Sequence, residues 1–234
     1  LEWDLASPPP LPHLPKDIAA VILLAGVTGH DPAALQANTT LALTACDLAE
    51  AAGIPRVLIA SSQAVYGAAS GAVTEDAACH PINPYGQAKL AMEEAVAGRP
   101  GVTCLRLGNV AGADMLFRMA AQGPVTLDRF ADGQSPRRAL IGPVTLARIL
   151  QRLAEPALDL PALLNIAHPG LVAMADLLQA AGLPFAWRPA PATALPELAL
   201  DVRRLCALYP LPPACAQTLL AEARQGGWPA SCRE

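Results

Sequence analysis

The chain has 234 residues, 53% of them hydrophobic, 15% charged and 4% aromatic, with a formal net charge of −4. A chain of this size and composition folds as one large domain or two small ones and buries an aliphatic core without disulfide or metal staples, which excludes disorder. It has only two lysines, Lys16 and Lys89, and no basic run, which excludes a nucleic-acid footprint.

The longest apolar run, 19–26, falls short of the ~20 residues that span a bilayer. No basic segment precedes an apolar stretch and a cleavage site, so neither a membrane partner nor a secretory signal is expected. Cys46, Cys79, Cys104, Cys206, Cys215 and Cys232 include no CxxC pair and read as reduced thiols of a cytoplasmic protein. The four histidines are scattered without HxxxH or HxH spacing, and no metal site is expected.

In chain order, prolines at 8, 9, 10, 12 and 15 exclude a helix interior or central strand at the start. AAVILLAG (19–26) reads as a strand buried on both faces of a parallel sheet. Residues 32–52 have helical spacing, with Pro32 at the start and Gly53 as stop. RVLIASS (56–62) is a second strand, 83–98 a second helix and VTCLRLGNV (102–110) a third strand. This alternation predicts a right-handed, parallel α/β unit. Beyond it the pattern predicts a helix near 143–154, a strand near 162–166, a helix near 171–181, a packed proline-rich loop at 184–196 and a last helix near 214–225.

Open parallel sheets bind ligands beyond the carboxyl ends of their strands. Three small or polar pairs fall at predicted strand ends: Ala25-Gly26, Ser61-Ser62 and Gly108-Asn109. Tyr85 and Lys89 stand four apart on the second helix and share a face. A tyrosine must drop by about 3 pKa units, about 4 kcal/mol, to act as a base at neutral pH. One cation ~4 Å away at an effective dielectric of ~20 supplies that much. Taken alone, the pair also fits a surface lysine lying over an exposed tyrosine.

SSQAVYG (61–67), TED (74–76), PINPYGQAK (81–89) and LRLGNVAG (105–112) together resemble, in order and spacing, the extended short-chain dehydrogenases/reductases, and among them the NAD-dependent epimerase/dehydratase family. The resemblance implies an α/β, Rossmann-like doubly wound parallel sheet with a small C-terminal substrate-binding region. Residues 1–110 and 143–167 would form the dinucleotide-binding core, and 111–142 and 168–234 the substrate-binding region. It implies an oxidoreductase that uses NAD or NADP on a sugar or nucleotide sugar. A simple reductase or dehydrogenase of a non-sugar carbonyl and a non-catalytic dinucleotide-binding homologue are the alternatives.

By resemblance, Ser62, Tyr85 and Lys89 are catalytic, with Lys89 lowering the Tyr85 pKa and holding the nicotinamide ribose. Asp4, Leu5, Leu24, Ala25, Gly26, Asn38, Ser61, Leu107 and Gly108 would line the cofactor. Ser62, Gln63, Asn109 and Arg138 would face the substrate. Gln63 and Ala64 stand where sugar 4,6-dehydratases carry an Asp-Glu pair, which speaks against water elimination. The family's glycine-rich turn is absent, so a longer gene product is expected, with that turn within about 60–70 residues before Leu1. A homodimer is expected through helices 32–52 and 83–98, with Ala34, Ala37, Ala42, Ala45 and Ala49 allowing close packing.

Overall fold

The computed structural model describes residues 14–69 and 71–228. Its first elements are β1 (Val21–Leu23), α1 (Pro32–Leu35), α2 (Ala37–Ala52), β2 (Val57–Ser62), β3 (Ala72–Val73), α3 (Pro84–Val96), β4 (Val102–Leu107) and β5 (Asn109–Val110). Then come α4 (Met115–Gln122), β6 (Val125–Arg129), β7 (Arg137–Arg138), β8 (Leu140–Ile141), α5 (Pro143–Leu153) and β9 (Leu163–Ile166). The chain continues with β10 (Val172–Ala173), α6 (Met174–Ala181), β11 (Phe185–Pro189), β12 (Glu197–Leu200), α7 (Arg203–Leu208) and α8 (Ala216–Gln225). Among the described residues no helix is long and apolar enough to cross a membrane.

The chain divides into two compact units. Among the described residues the first comprises 14–67, 75–106 and 149–164, and the second 68–69, 71–74, 107–148 and 165–228. A four-stranded sheet has the order β1-β2-β4-β9. β1 runs parallel to β2, with Val21 opposite Val57 and Leu23 opposite Ile59. The amides of Cys104 and Gly108 donate to the carbonyls of Ala162 and Ile166, advancing in step as parallel strands do. The core of the first unit packs Leu23, Val57, Ile59 and Cys104 of the sheet against Ala42, Ala45 and Ala49 of α2 and Met92 and Val96 of α3.

Four expectations change here. The first strand is three residues long and is not buried on both faces, because Ile22 and Leu24 are 39% and 58% exposed. After Leu23 the backbone leaves the sheet, and Val27 bonds through both its N–H and its C=O to the Asn38 amide. The helix expected over 32–52 is two helices, parted at Gln36. Asp31 caps the first by accepting from the Ala33 amide, and Asn38 Nδ2 takes the Leu35 carbonyl, a side-chain bond that competes with the helical ladder. Of the five alanines expected to allow close packing with a second chain, Ala42, Ala45 and Ala49 are at most 3% exposed in their own core, whereas Ala34 is exposed and Ala37 half-buried.

The fourth change lies in the second unit. The proline-rich stretch contains a strand, β11, paired in parallel with β6 from Phe185 opposite Val125 to Pro189 opposite Arg129. Prolines flank the run Phe185-Ala186-Trp187-Arg188 rather than interrupt it, and a two-stranded sheet leaves each strand an edge that tolerates the missing N–H. A second sheet has the order β10-β7-β12-β3, and β5 pairs with β8. The core of this unit gathers Leu127, Leu140, Leu177 and Leu219, with Phe117 edge-on to Trp228 at 4.8 Å.

Candidate active site

The sequence Asn83-Pro84-Tyr85-Gly86 is a helix start in which every residue has a mechanical task. Asn83 caps α3 by accepting the Gly86 amide on Oδ1 at 2.8 Å, and Pro84 occupies the first turn, where its missing N–H costs nothing. Gly86 permits close approach: a Cβ there would stand 2.5 Å from the Ala64 carbonyl oxygen. The turn that follows β2 therefore lies against the first turn of α3. In that turn Ser62 Oγ accepts the Ala64 amide at 3.2 Å, and the Ser62 hydroxyl lies near enough to the Tyr85 phenol to act on its titration.

One helical turn beyond Tyr85, Lys89 is 5% exposed. Its ammonium donates to the Ala60 carbonyl at 2.8 Å and reaches Met92 Sδ at 3.9 Å. It also sits 6.0 Å from the centroid of the Tyr85 ring. A Cβ on Gly26 would stand 3.3 Å from Lys89 Nζ and 2.8 Å from Asn38 Oδ1, so the end of β1, the start of α2 and α3 converge on that glycine. Leu24, Ala25 and Gly26 are exposed there, while Asn38 is buried.

Burial pushes Lys89 down to about 8, against the opposing pull of Cys104 and Glu93. Burial also raises the Tyr85 phenol above its usual value, and the Ser62 hydrogen bond only partly offsets this. The sequence led to the opposite direction for Tyr85, with Lys89 lowering it. The ammonium is tied to Ala60 on β2 rather than to the phenolic oxygen, and desolvation prevails. In the protein as described, Tyr85 holds its proton at neutral pH.

Ser61 and Gln63 flank Ser62 and are buried. Ser61 faces Glu93, donating to Oε1 at 2.5 Å. Glu93 receives Arg106 through Nε at 3.1 Å on both oxygens and through Nη2 at 2.7 Å. Arg106 Nη1 also donates to the Tyr66 hydroxyl at 3.0 Å and the Glu75 carbonyl at 3.1 Å. Burial opposes the Arg106 charge, but the bonds to Glu93 and Tyr66 outweigh it and hold its pKa above the usual value. Neither Glu93 nor Arg106 was singled out from sequence. A charged residue inside the apolar run VTCLRL, and a carboxylate four residues after Lys89, were the available signals.

Leu107, Gly108, Asn109 and Arg138 belong to the second unit. Gly108 donates its amide to the Ile166 carbonyl at 2.9 Å. Asn109 Nδ2 donates to Asp114, the N-cap of α4, at 3.0 Å, and burial raises the Asp114 carboxyl. The Arg138 guanidinium reaches the carbonyls of Arg137 at 2.8 Å and Leu195 at 3.0 Å, while Arg137 beside it pairs with Glu197. Asp4 and Leu5 lie outside the described residues. Among the described residues no group of three or more His, Cys, Asp or Glu side chains could hold a metal ion.

Residues 2–147 match the model of the NAD dependent epimerase/dehydratase family. The chain belongs to that family. A UDP-glucose 4-epimerase of Azospirillum brasilense is 42% identical over 95 residues, which cover 38% of this chain and 27% of that one. The match therefore spans about a quarter of the relative's length. Among solved structures, MoeE5 in complex with UDP-glucuronic acid and NAD is 24% identical with a TM-score of 0.74, over 97% of this chain and 85% of that one. UDP-glucose 4-epimerase from Brucella ovis in complex with NAD is 23% identical with a TM-score of 0.74, over 89% and 78%. At these identities the likeness shows the fold, a Rossmann-like α/β fold with a parallel sheet.

Proposed function

We propose that the chain carries the catalytic set of an oxidoreductase that uses NAD or NADP on a sugar or nucleotide sugar. The observation that carries this reading is the buried Lys89 ammonium, 6.0 Å from the centroid of the Tyr85 ring one turn back on α3 and facing Gly26, with the Ser62 hydroxyl acting on the Tyr85 phenol. Lys89 fits a dinucleotide ribose. It has three N–H donors, of which one meets an oxygen at 2.8 Å and another only a thioether at 3.9 Å, so capacity for a ribose hydroxyl is left. A side chain on Gly26 would crowd both Lys89 and Asn38, so only glycine leaves that approach to Lys89 unblocked by a Cβ.

Bound NAD or NADP would supply the hydride acceptor and donor. Tyr85, protonated at neutral pH in the free protein, gives its proton to a substrate oxygen or takes one back from it. Ser62, beside that phenol, orients the same oxygen. Leu24, Ala25, Gly26, Asn38 and Ser61 support the cofactor side, and Leu107 and Gly108 are proposed to join them. Gln63, Asn109 and Arg138 are proposed for the substrate. Residues 1–110 and 143–167 serve the dinucleotide, and 111–142 and 168–234 the substrate. We further propose a homodimer through α2 and α3, to be tested by light scattering at micromolar concentration. Cys46, Cys79, Cys104, Cys206 and Cys215 are free thiols, which supports a cytoplasmic location.

The test measures calorimetric binding of NAD and NADP, then hydride transfer with UDP-glucose. Tyr85→Phe should keep cofactor binding and lose about 10²–10⁴-fold in turnover, the range of a general acid–base group. Unchanged turnover and pH profile in Tyr85→Phe would end the acid–base role of Tyr85, and no hydride transfer by the parent protein would end the enzymatic reading. Turnover with catalytic cofactor marks an epimerase, and a stoichiometric requirement marks a reductase or dehydrogenase.

A further inference from the structure

Glu93 stands one turn along α3 from Lys89 and two turns from Tyr85, so the three share a face of the helix. Glu93, Lys89, Ser61 and Arg106 are all at most 6% exposed. A buried ion pair is weak evidence for stability, because well-packed apolar residues often serve as well or better. A carboxylate sealed beneath a site, joined on one side to Arg106 and on the other to the strand that carries Ser62, points to a task in that site.

We propose that Glu93 is a positioning residue for Ser62, Tyr85 and Lys89, anchoring the end of β2 through Ser61 and serving as counter-charge to the Lys89 ammonium. The inference rests on the catalytic reading of those three residues. Around Lys89, α3 contributes the Tyr85 phenol and the Glu93 carboxylate, and β4 contributes the Cys104 thiol, with Arg106 beyond it on Glu93. β2 adds the Ala60 carbonyl, and α2 the neutral Asn38 amide across Gly26. Cys104 is pushed up to about 12 by burial, so its thiol is neutral in the working range. Glu93 is then the anionic group of this set. With Lys89 near 8, about half the ammonium survives at pH 8, and a fall of one unit would leave about a tenth.

Two lysines make the test direct. Protein labelled with carbon-13 at lysine Cε gives signals for Lys16 and Lys89, assigned with Lys16→Arg. Glu93→Gln keeps the shape and an acceptor for Ser61 but removes the charge. The Lys89 midpoint should fall from about 8 by about one unit, with Lys16 unmoved. Because Glu93→Gln leaves Arg106 buried without its partner and so risks unfolding, Glu93→Gln with Arg106→Met is measured beside it, and a smaller fall in the same direction is expected, since a positive charge leaves with the negative one. An unchanged Lys89 midpoint in either folded variant overturns the counter-charge, since a purely structural Glu93 would lower the melting temperature and leave Lys89 alone. For the anchor, Ser61→Ala should speed hydrogen exchange of the Ala64 amide, which bonds Ser62 Oγ, by about tenfold. Unchanged exchange overturns that part. Neither measurement uses cofactor or substrate, so a failure of the catalytic reading in Tyr85→Phe stays separate from a failure here.

Discussion

Asn38→Leu keeps the bulk of a buried side chain while removing three hydrogen bonds. The Val27 amide gives to Oδ1 at 3.1 Å, and Nδ2 gives to the carbonyls of Val27 and Leu35 at 3.0 Å each. The Val27 groups are only part-buried, so water replaces Asn38 there and each lost bond costs about 0.5–1.5 kcal/mol net. The bond to the Leu35 carbonyl is buried, and leaving that oxygen unpaired costs about 1–3 kcal/mol. The total is about 2–6 kcal/mol, and at about 2–4 °C per kcal/mol for a chain this long, melting should fall by at least ~4 °C. Urea unfolding followed by circular dichroism should show a lower midpoint at unchanged slope, because the loss is in the native state. Exchange of the Val27 amide should accelerate as the strand-end loop comes free. A folded Asn38→Leu protein within about 0.5 kcal/mol of the parent would refute the idea that this amide clamps the loop after β1 to α2.

Gly86→Ala places a Cβ 2.5 Å from the Ala64 carbonyl, so the turn after β2 must move away from α3. Helix content should hold while turnover falls at least about tenfold through loss of the Ser62–Tyr85 geometry, and parental turnover would count against the close-approach argument. Lys89 bears on the pH dependence of stability. Its folded value is about 8 against the ordinary 10.5, so between these values the unfolded chain binds more protons and this group's contribution rises with pH. Compared with Lys89→Met, the parent should gain up to about 1.4 kcal/mol per pH unit from pH 8 to 10, and a constant gap between the two unfolding curves would refute it.

The elements of the first unit were legible because each leaves a local mark: largely apolar runs for β2 and β4, proline at the start of α1 and of α3, Gly53 after α2. The exposure of β1 was not, since an apolar run reports hydrophobicity and not which neighbours the strand has. β11 was hidden for a related reason. Proline density in 184–196 signalled a loop, while the four residues between the prolines were free to pair with β6, more than fifty residues upstream. The alanine stripe of α2 was visible as small residues, but which surface it meets is a tertiary fact. At the site, Tyr85 and Lys89 were legible from spacing on a helix. The sign of the Tyr85 shift was not, because spacing sets which face a side chain occupies and says nothing of how much water is stripped from it.

The four motifs that carried the family resemblance look separate in sequence, and in the fold three of them meet on one guanidinium. Arg106, from LRLGNVAG, bonds the Tyr66 hydroxyl of SSQAVYG, the Glu75 carbonyl of TED and the Glu93 carboxylate beyond NPYGQAK. Glu93 in turn holds Ser61, the residue before Ser62. The spacing between these motifs is therefore set by the reach of one buried arginine as much as by chemistry at Tyr85. A chain could keep Ser62, Tyr85 and Lys89 and still misplace them if that arginine were lost. Residues that touch no ligand thus belong in any account of why the three reacting side chains stand where they do.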